Sequence, residues 1–501
     1  MRLSSWLRSA CPLIVPNGTA NRPAKRAPST RLSVEHLEDR TVPSTFTVGN
    51  LADSGSGSLR AAIAAANTNP GADVIDFAHG LRGTVALTSG ELSITDDLEI
   101  DGPGARRLAV SGSDVSRVFR IGSGVTASIE DLTVSHGRGL LRGGGISNAG
   151  TLTLSDAVVS DNRVVGLPGV GMAVDAFGGG VFNTGTLTVR HTRFVGNQST
   201  GGDGVPGGPG SGGLGGAIAS LGSATAPASV VVSHSTFVDN RAVGGAAGAG
   251  ATFTRNGLGG ALMNDASTMI VSHSLFRDNL AMGGFGGGAV SFGSGGAIQN
   301  AALIGDATLA VSDSTFLYNR AVGGATGNGI GTQSGQGGAI ANFIPGFASP
   351  SITVTATATV TRSTLIGNQA IGGTGPTGGA ARGGAIVNLN RGILTVTDSL
   401  ILGNEAVGGA GTVGNGGNGL GGGIFNGGSI PIGAPTLTLH GSIVALNRAE
   451  GGAAGSGGTA GLGVGGGLYL APGGIATADP WTFIFWNDAS TSDDDVFGIL
   501  V

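Results

Sequence analysis

The sequence predicts an all-β chain wound as a single right-handed parallel β-helix, with three strands per coil and a short N-terminal capping helix. Three observations predict it. A glycine doublet leading into an apolar residue recurs nine times, an apolar-x-x-Asn tetrapeptide follows each doublet, and an alternating strand-like segment lies between the two in most repeats. Nothing between these pieces carries a helical period. A unit so small cannot bury an apolar face alone, so it must stack on copies of itself. Stacking pairs each strand in parallel with its equivalent about 4.8 Å along the axis.

The doublets begin at Gly143, Gly178, Gly215, Gly259, Gly295, Gly337, Gly383, Gly421 and Gly465. The tetrapeptides end at Asn162, Asn197, Asn240, Asn279, Asn319, Asn368, Asn404, Asn447 and Asn487. Thr151-Leu-Thr-Leu-Ser155, Thr186-Leu-Thr-Val189, Leu394-Thr-Val-Thr397 and Thr436-Leu-Thr-Leu439 are the clearest alternating strands. Ahead of the repeats, Val74-Ile-Asp-Phe77, Gly83-Thr-Val-Ala-Leu87, Leu92-Ser-Ile94, Leu98-Glu-Ile100 and Val118-Phe-Arg-Ile121 read as strands of less regular first coils. One helix is predicted over residues 58–67, with Ser58 as N-cap and Leu59, Ala62, Ile63 and Ala66 on one face. A solenoid needs its first coil covered, because an open end presents unpaired strand edges. The organisation expected is a basic, disordered leader at 1–45, an N-terminal cap at 46–80, irregular coils at 81–142, nine regular coils at 143–487, and a tail or cap at 488–501. Asp493-Asp-Asp495 in that tail fits either a polar end cap or an attachment signal.

Composition narrows the class. Glycine supplies 100 of 501 residues without a collagen period, charged residues are 11%, and mean hydropathy is +0.26, so the chain is folded and unusually uncharged. Residues 1–45 hold seven basic and three acidic side chains, leaving 19 basic and 28 acidic in the remainder, a net of −9. An acidic body argues against nucleic acid as partner. Cys11 is the sole cysteine, so no intrachain disulfide is possible. No apolar run is long enough for a transmembrane helix, and the start lacks the apolar stretch of a secretory signal.

Two passages resemble known families. Gly-Gly-Ala-Ile paired with Phe-x-x-Asn is similar to the repeat of the polymorphic outer-membrane proteins of chlamydiae and related bacterial adhesins. That resemblance runs from about residue 143 to 487 and implies a surface-exposed, pectin-lyase-like β-helix. Those proteins end in a translocating β-barrel; the fourteen residues after Asn487 are too few for one, so their secretion route is not expected here. Leu37-Glu-Asp-Arg40 followed by Pro43-Ser44 resembles a leader motif of planctomycete-type surface proteins and implies export. Ser58-Leu-Arg-Ala-Ala-Ile63 is similar to a signature preceding bacterial surface β-helices, with Gly57 where a cysteine is common.

Because coils stack, equivalent residues form columns. The nine tetrapeptide asparagines form one, expected to hydrogen-bond along the axis. Asn148, Asn183, Asn264, Asn300, Asn342, Asn388 and Asn426 form a second. A third holds Asp156, His191, His234, His273, Asp313, Arg362, Asp398 and Gly441. Its three successive histidines at strand spacing suggest a shared metal, but Asp, His and Gly together are better read as a corner that visits positive φ. Asp239 and Asp278 are read as solvated turns. The glycine-rich insertions 201–213, 244–250 and 408–417 all leave along one edge; they read as loose linkers, with a packed glycine wall as the alternative.

The expected function is therefore non-enzymatic: an extracellular or cell-surface bacterial repeat protein, adhesin-like or structural, whose partners are a surface polysaccharide or another envelope protein. No catalytic, cofactor-binding or metal-binding residue is assigned, and no cofactor is expected. The alternative is a polysaccharide lyase or hydrolase of the same fold, which would need clustered carboxylates beside a basic group. Ice binding through Thr-x-Thr pairs is weak, since the pairs fail at Val230-Val-Val232.

Overall fold

The computed structural model describes residues 43–167, 174–223, 225–251, 255–286, 291–325, 333–343, 354–428 and 433–501. The leader residues 1–42, with the planctomycete-type Leu37–Arg40 motif, lie outside them. The described chain is a right-handed parallel β-helix. The three strands predicted per coil build its three long sheets: an alternating sheet of 13 strands, a doublet sheet of 12 and an asparagine sheet of 12. Two shorter ladders complete the later coils, a flanking sheet of 10 strands after the ladder asparagine and an edge sheet of 8 just before the doublet. One coil thus runs Ala176–Phe177, Val181–Asn183, Thr186–Arg190, Arg193–Val195 and Gln198–Thr200 before its insertion. These two ladders have strands of only two or three residues, too short to show a period of their own.

Register follows the motifs. Ile146 pairs with Val181, Leu152 with Leu187, and Phe194 with Phe237. Side chains alternate across each strand, so Leu152 and Leu154 point into the core while Thr151 faces solvent and Thr153 is partly exposed. Phe194, Phe237, Phe276 and Phe316 stack through the core with centroids 4.9, 4.7 and 4.8 Å apart and rings within 8° of parallel. The first glycine of every doublet lies at φ between +59° and +68°, which turns the edge strand into the doublet strand.

The ladder asparagines are fully buried except the last. Asn279 shows the pattern: its Nδ2 donates to Asn319 Oδ1 at 2.8 Å and to the Phe237 carbonyl at 3.0 Å, and its Oδ1 accepts from Asn240 N–H at 3.1 Å and Nδ2 at 3.0 Å. The ladder starts at Gly137, whose N–H donates to Asn162 Oδ1. It ends at Asp495, whose carboxylate takes the place of the next amide oxygen and accepts from Asn487 N–H and Nδ2 at 3.1 and 2.9 Å. Asp495 is therefore an end-cap residue. In the second column Ser220 stands where an asparagine would be and bonds onward to Ser267, so Asn264 Oδ1 is buried without a partner.

The other end is closed by the helix Leu59–Ala66, capped by Ser58, whose side chain accepts from Ala61 N–H. Asp53 pins it: its carboxylate accepts from Arg60, Thr88 and Ser89, which hold it well below the usual range against the opposing effect of burial.

The glycine insertions are packed, which overturns the loose-linker reading. A continuous relay of backbone bonds, each 2.8 Å, runs Gly461 to Gly452 to Gly417 to Gly409 to Gly379 to Gly373, N–H to carbonyl throughout. The outgoing and returning arms of successive insertions alternate in it. A Cβ on Gly409 would collide with the Gly373 carbonyl, and one on Gly452 with that of Gly409. Glycine abundance here reflects backbone packed against backbone rather than flexibility.

Candidate functional site: the corner column

The alternating strand ends at a corner that the successive coils from Asp156 to Gly441 make in the left-handed region. Asp156, His191, His234, His273, Asp313, Arg362, Asp398 and Gly441 have φ between +45° and +52°. A single conformation shared by Asp, His, Arg and Gly shows that the column is set by the backbone. The residue before each ladder asparagine is a second such corner, shared by Asp239, Asp278, Tyr318, Leu446 and Trp486 at φ +55° to +56°. His136, which precedes the ladder's start, lies at +49°.

His234 and His273 stack by their faces, and His191 lies tilted by 34° against His234. His191 and His234 centroids are 5.3 Å apart, and His234 and His273 are 4.8 Å apart with rings 6° from parallel. Ring nitrogens donate to metal in the ring plane, so face-to-face rings do not converge on one ion. Among the described residues no three His, Cys, Asp or Glu side chains are placed to hold a metal. Farther along, Arg362 makes a two-pronged bond to Asp313, Nε to Oδ1 and a terminal nitrogen to Oδ2, both 2.8 Å. That bond lowers the Asp313 carboxyl pKa.

The column extends one coil earlier than the repeats suggest. Asp131, at φ +52°, precedes Asp156, and beside them a surface cleft of about 390 Å³ opens. Arg106, Arg107, Asp131, Asp156, His191 and Arg193 line it. Partial burial raises the Asp131 pKa, and the negative charges of Asp156, Asp101 and Glu130 raise it further. A carboxyl whose pKa is raised, next to other acidic side chains and to three guanidinium groups, is a pairing suited to proton transfer. Sequence reasoning missed it because Asp131 precedes the regular repeats and the Arg106–Arg107 turn belongs to no repeat. The left-handed corner position, occupied by Asp, is the signal that extends the column back.

No protein-family model matches the chain, and no curated protein matches it. It is similar in structure to the catalytic domain of a GH87 α-1,3-glucanase variant in complex with tetrasaccharides, with 12% identity, TM-score 0.37, and 89% of this chain and 70% of that one covered. It is also similar to the GH87 α-1,3-glucanase catalytic unit of Streptomyces thermodiastaticus, at 13% identity and TM-score 0.32, covering 90% and 70%. A mannuronic acid specific family 6 polysaccharide lyase from human gut microbiota gives 10% identity and TM-score 0.29, covering 79% and 87%. Likeness at this level is architectural and locates no site in this chain.

Proposed function

We propose that this chain is a non-enzymatic β-helical protein of the bacterial exterior, adhesin-like or structural in the cell envelope. The observation that carries the reading is the fate of its most repeated polar side chains. Buried amide ladders take the asparagines, and left-handed corners take the column of Asp, His and Arg. What repeats serves the stack, and what varies faces outward along a long surface. The corner φ values, uniform whatever the residue, support this. Fractionation of the source cell tests it: protease-sensitive protein on intact cells is expected, and protein confined to the cytosol with residues 1–45 retained overturns it.

A second reading has one specific observation in its favour, the Asp131–Asp156 cleft with its arginines. There Asp131 would donate a proton to a glycosidic oxygen while a neighbouring carboxylate activates water or the sugar. Incubation with neutral and acidic polysaccharides distinguishes the two readings. Product release that Asp131→Asn abolishes establishes the second; no release from any substrate removes its support.

A further inference from the structure

Outside the coil, the outer faces of the edge and doublet sheets pack against each other. Phe182, Leu214, Leu258, Met263, Phe343 and Phe425 belong to one apolar cluster separate from the main core. At these residues the solenoid surface is therefore re-entrant, a groove running along the axis. Toward its C-terminal end the groove deepens into a cleft of about 410 Å³, walled by Phe292, Phe343, Leu389 and Phe425, with Gln336, Arg382 and Asn390 as polar lining. That volume and apolar character are those of small-molecule sites.

Arg382 is the anomaly. It occupies an edge-sheet position whose neighbours in the adjacent coils are Gln336 and Leu420. Its guanidinium lies 5.8 Å from the Phe425 ring centroid, and that ring also stacks on Tyr469 at 5.1 Å. Among the described residues it has no ion-pair partner, and its guanidinium donates no hydrogen bond. Burial lowers its pKa from the ordinary arginine value. A partly buried guanidinium with an aromatic ring beside it and no ion-pair or hydrogen-bond partner is under-compensated, because ring attraction replaces neither the hydration it loses nor its five donors. Arg142 makes the same kind of contact with Phe182, at 5.1 Å, but is exposed and keeps its water.

We propose that the Arg382 cleft binds a carboxylate carried on a ring-sized body, with the carboxylate on the Arg382 guanidinium, the Gln336 amide beside it, and the ring against Phe343, Leu389 and Phe425. Two parallel N–H to oxygen bonds match the guanidinium fork to a carboxylate, which a spherical anion cannot do. The apolar walls exclude water from that pair and require a body to fill them. Either a uronic acid residue or a free aromatic acid has this chemistry.

Isothermal titration of the full chain tests it with four probes: sodium D-glucuronate, sodium benzoate, sodium acetate and D-glucose. Saturable binding of at least one ring carboxylate is expected, with acetate and glucose weaker by about tenfold or more. Glucuronate alone binding identifies a sugar acid; benzoate alone identifies an aromatic acid. Arg382→Met should abolish binding, Arg382→Lys should keep part of it, and Arg142→Met should leave it unchanged. Without ligand, the Arg382→Met protein should melt no lower than the wild type, since an uncompensated charge has been removed. Failure of both ring carboxylates to bind, or equal affinity in Arg382→Met, overturns the proposal. So does a lower melting temperature in Arg382→Met with binding intact, which would mark Arg382 as packing alone.

Discussion

Replacing Asn279 with alanine removes four side-chain hydrogen bonds from the middle of the amide ladder, two donated by Nδ2 and two accepted by Oδ1. The worst consequence falls on the preceding coil. Both the Asn240 backbone N–H and one Asn240 Nδ2 proton lose their acceptor in a site with no solvent exposure. At about 1–3 kcal/mol for each buried unsatisfied group, the cost of these two is about 2–6 kcal/mol. Asp278, one residue earlier, provides the control. It is exposed and its 3.1 Å pair with Arg277 is a surface contact, so Asp278→Ala should cost about 1 kcal/mol, mostly from alanine at a left-handed corner. Urea unfolding followed by circular dichroism gives both numbers. Hydrogen exchange should place the Asn279→Ala loss within the coils holding Asn240 and Asn319, since coils couple to their nearest neighbours. If Asn279→Ala shifts stability no more than Asp278→Ala, the ladder is decorative and the reasoning is refuted.

Four further outcomes are expected. Ser220→Asn should restore the interrupted second column, satisfy Asn264 Oδ1, and stabilise the protein by about 1 kcal/mol in the same denaturation assay. In the glycine wall, Gly409→Ala should cost about 1–3 kcal/mol through overpacking, while Gly457→Ala, with ordinary space around it, should stay within about 0.5 kcal/mol. Burial pushes the Asp265 carboxyl up to about 6, so the folded state holds its proton more tightly than the unfolded one. Its contribution to stability is complete below about pH 4 and is lost as pH rises toward 6; Asp265→Asn should flatten melting temperature against pH across that window. At the corner, His234→Gly should be neutral within about 0.5 kcal/mol and His234→Val should cost about 1–2 kcal/mol, because a β-branched residue opposes positive φ; equal effects in thermal melts would contradict the corner account.

The repeats made the long sheets legible because stacking preserves residue class along the axis. Asn162 to Asn487, the Phe194 to Phe316 stack, and the corner column can all be read by aligning the sequence on itself. Ser58 to Asn67 was equally plain, since an N-cap and an apolar face are local signals. The leader, by contrast, resembles a targeting motif, and its role stands as part of the proposal. The glycine insertions were misread because composition cannot separate a flexible glycine from one whose missing Cβ makes room for another backbone.

Function lies in the direction the repeats do not encode. Sequence by itself determined the coil, the inward and outward face of each long strand, and which residues share a column. Only the tertiary structure decided what meets across different segments of a coil: Asp131 and Asp156 beside Arg106, Arg107 and Arg193, and Arg382 in an apolar groove beside Phe425. The physical reason is that stacking along the axis is fixed by one hydrogen-bond spacing repeated from coil to coil. Contacts around the circumference depend on the path of each turn and insertion, which follows from corner dihedrals and glycine packing and carries no period of its own.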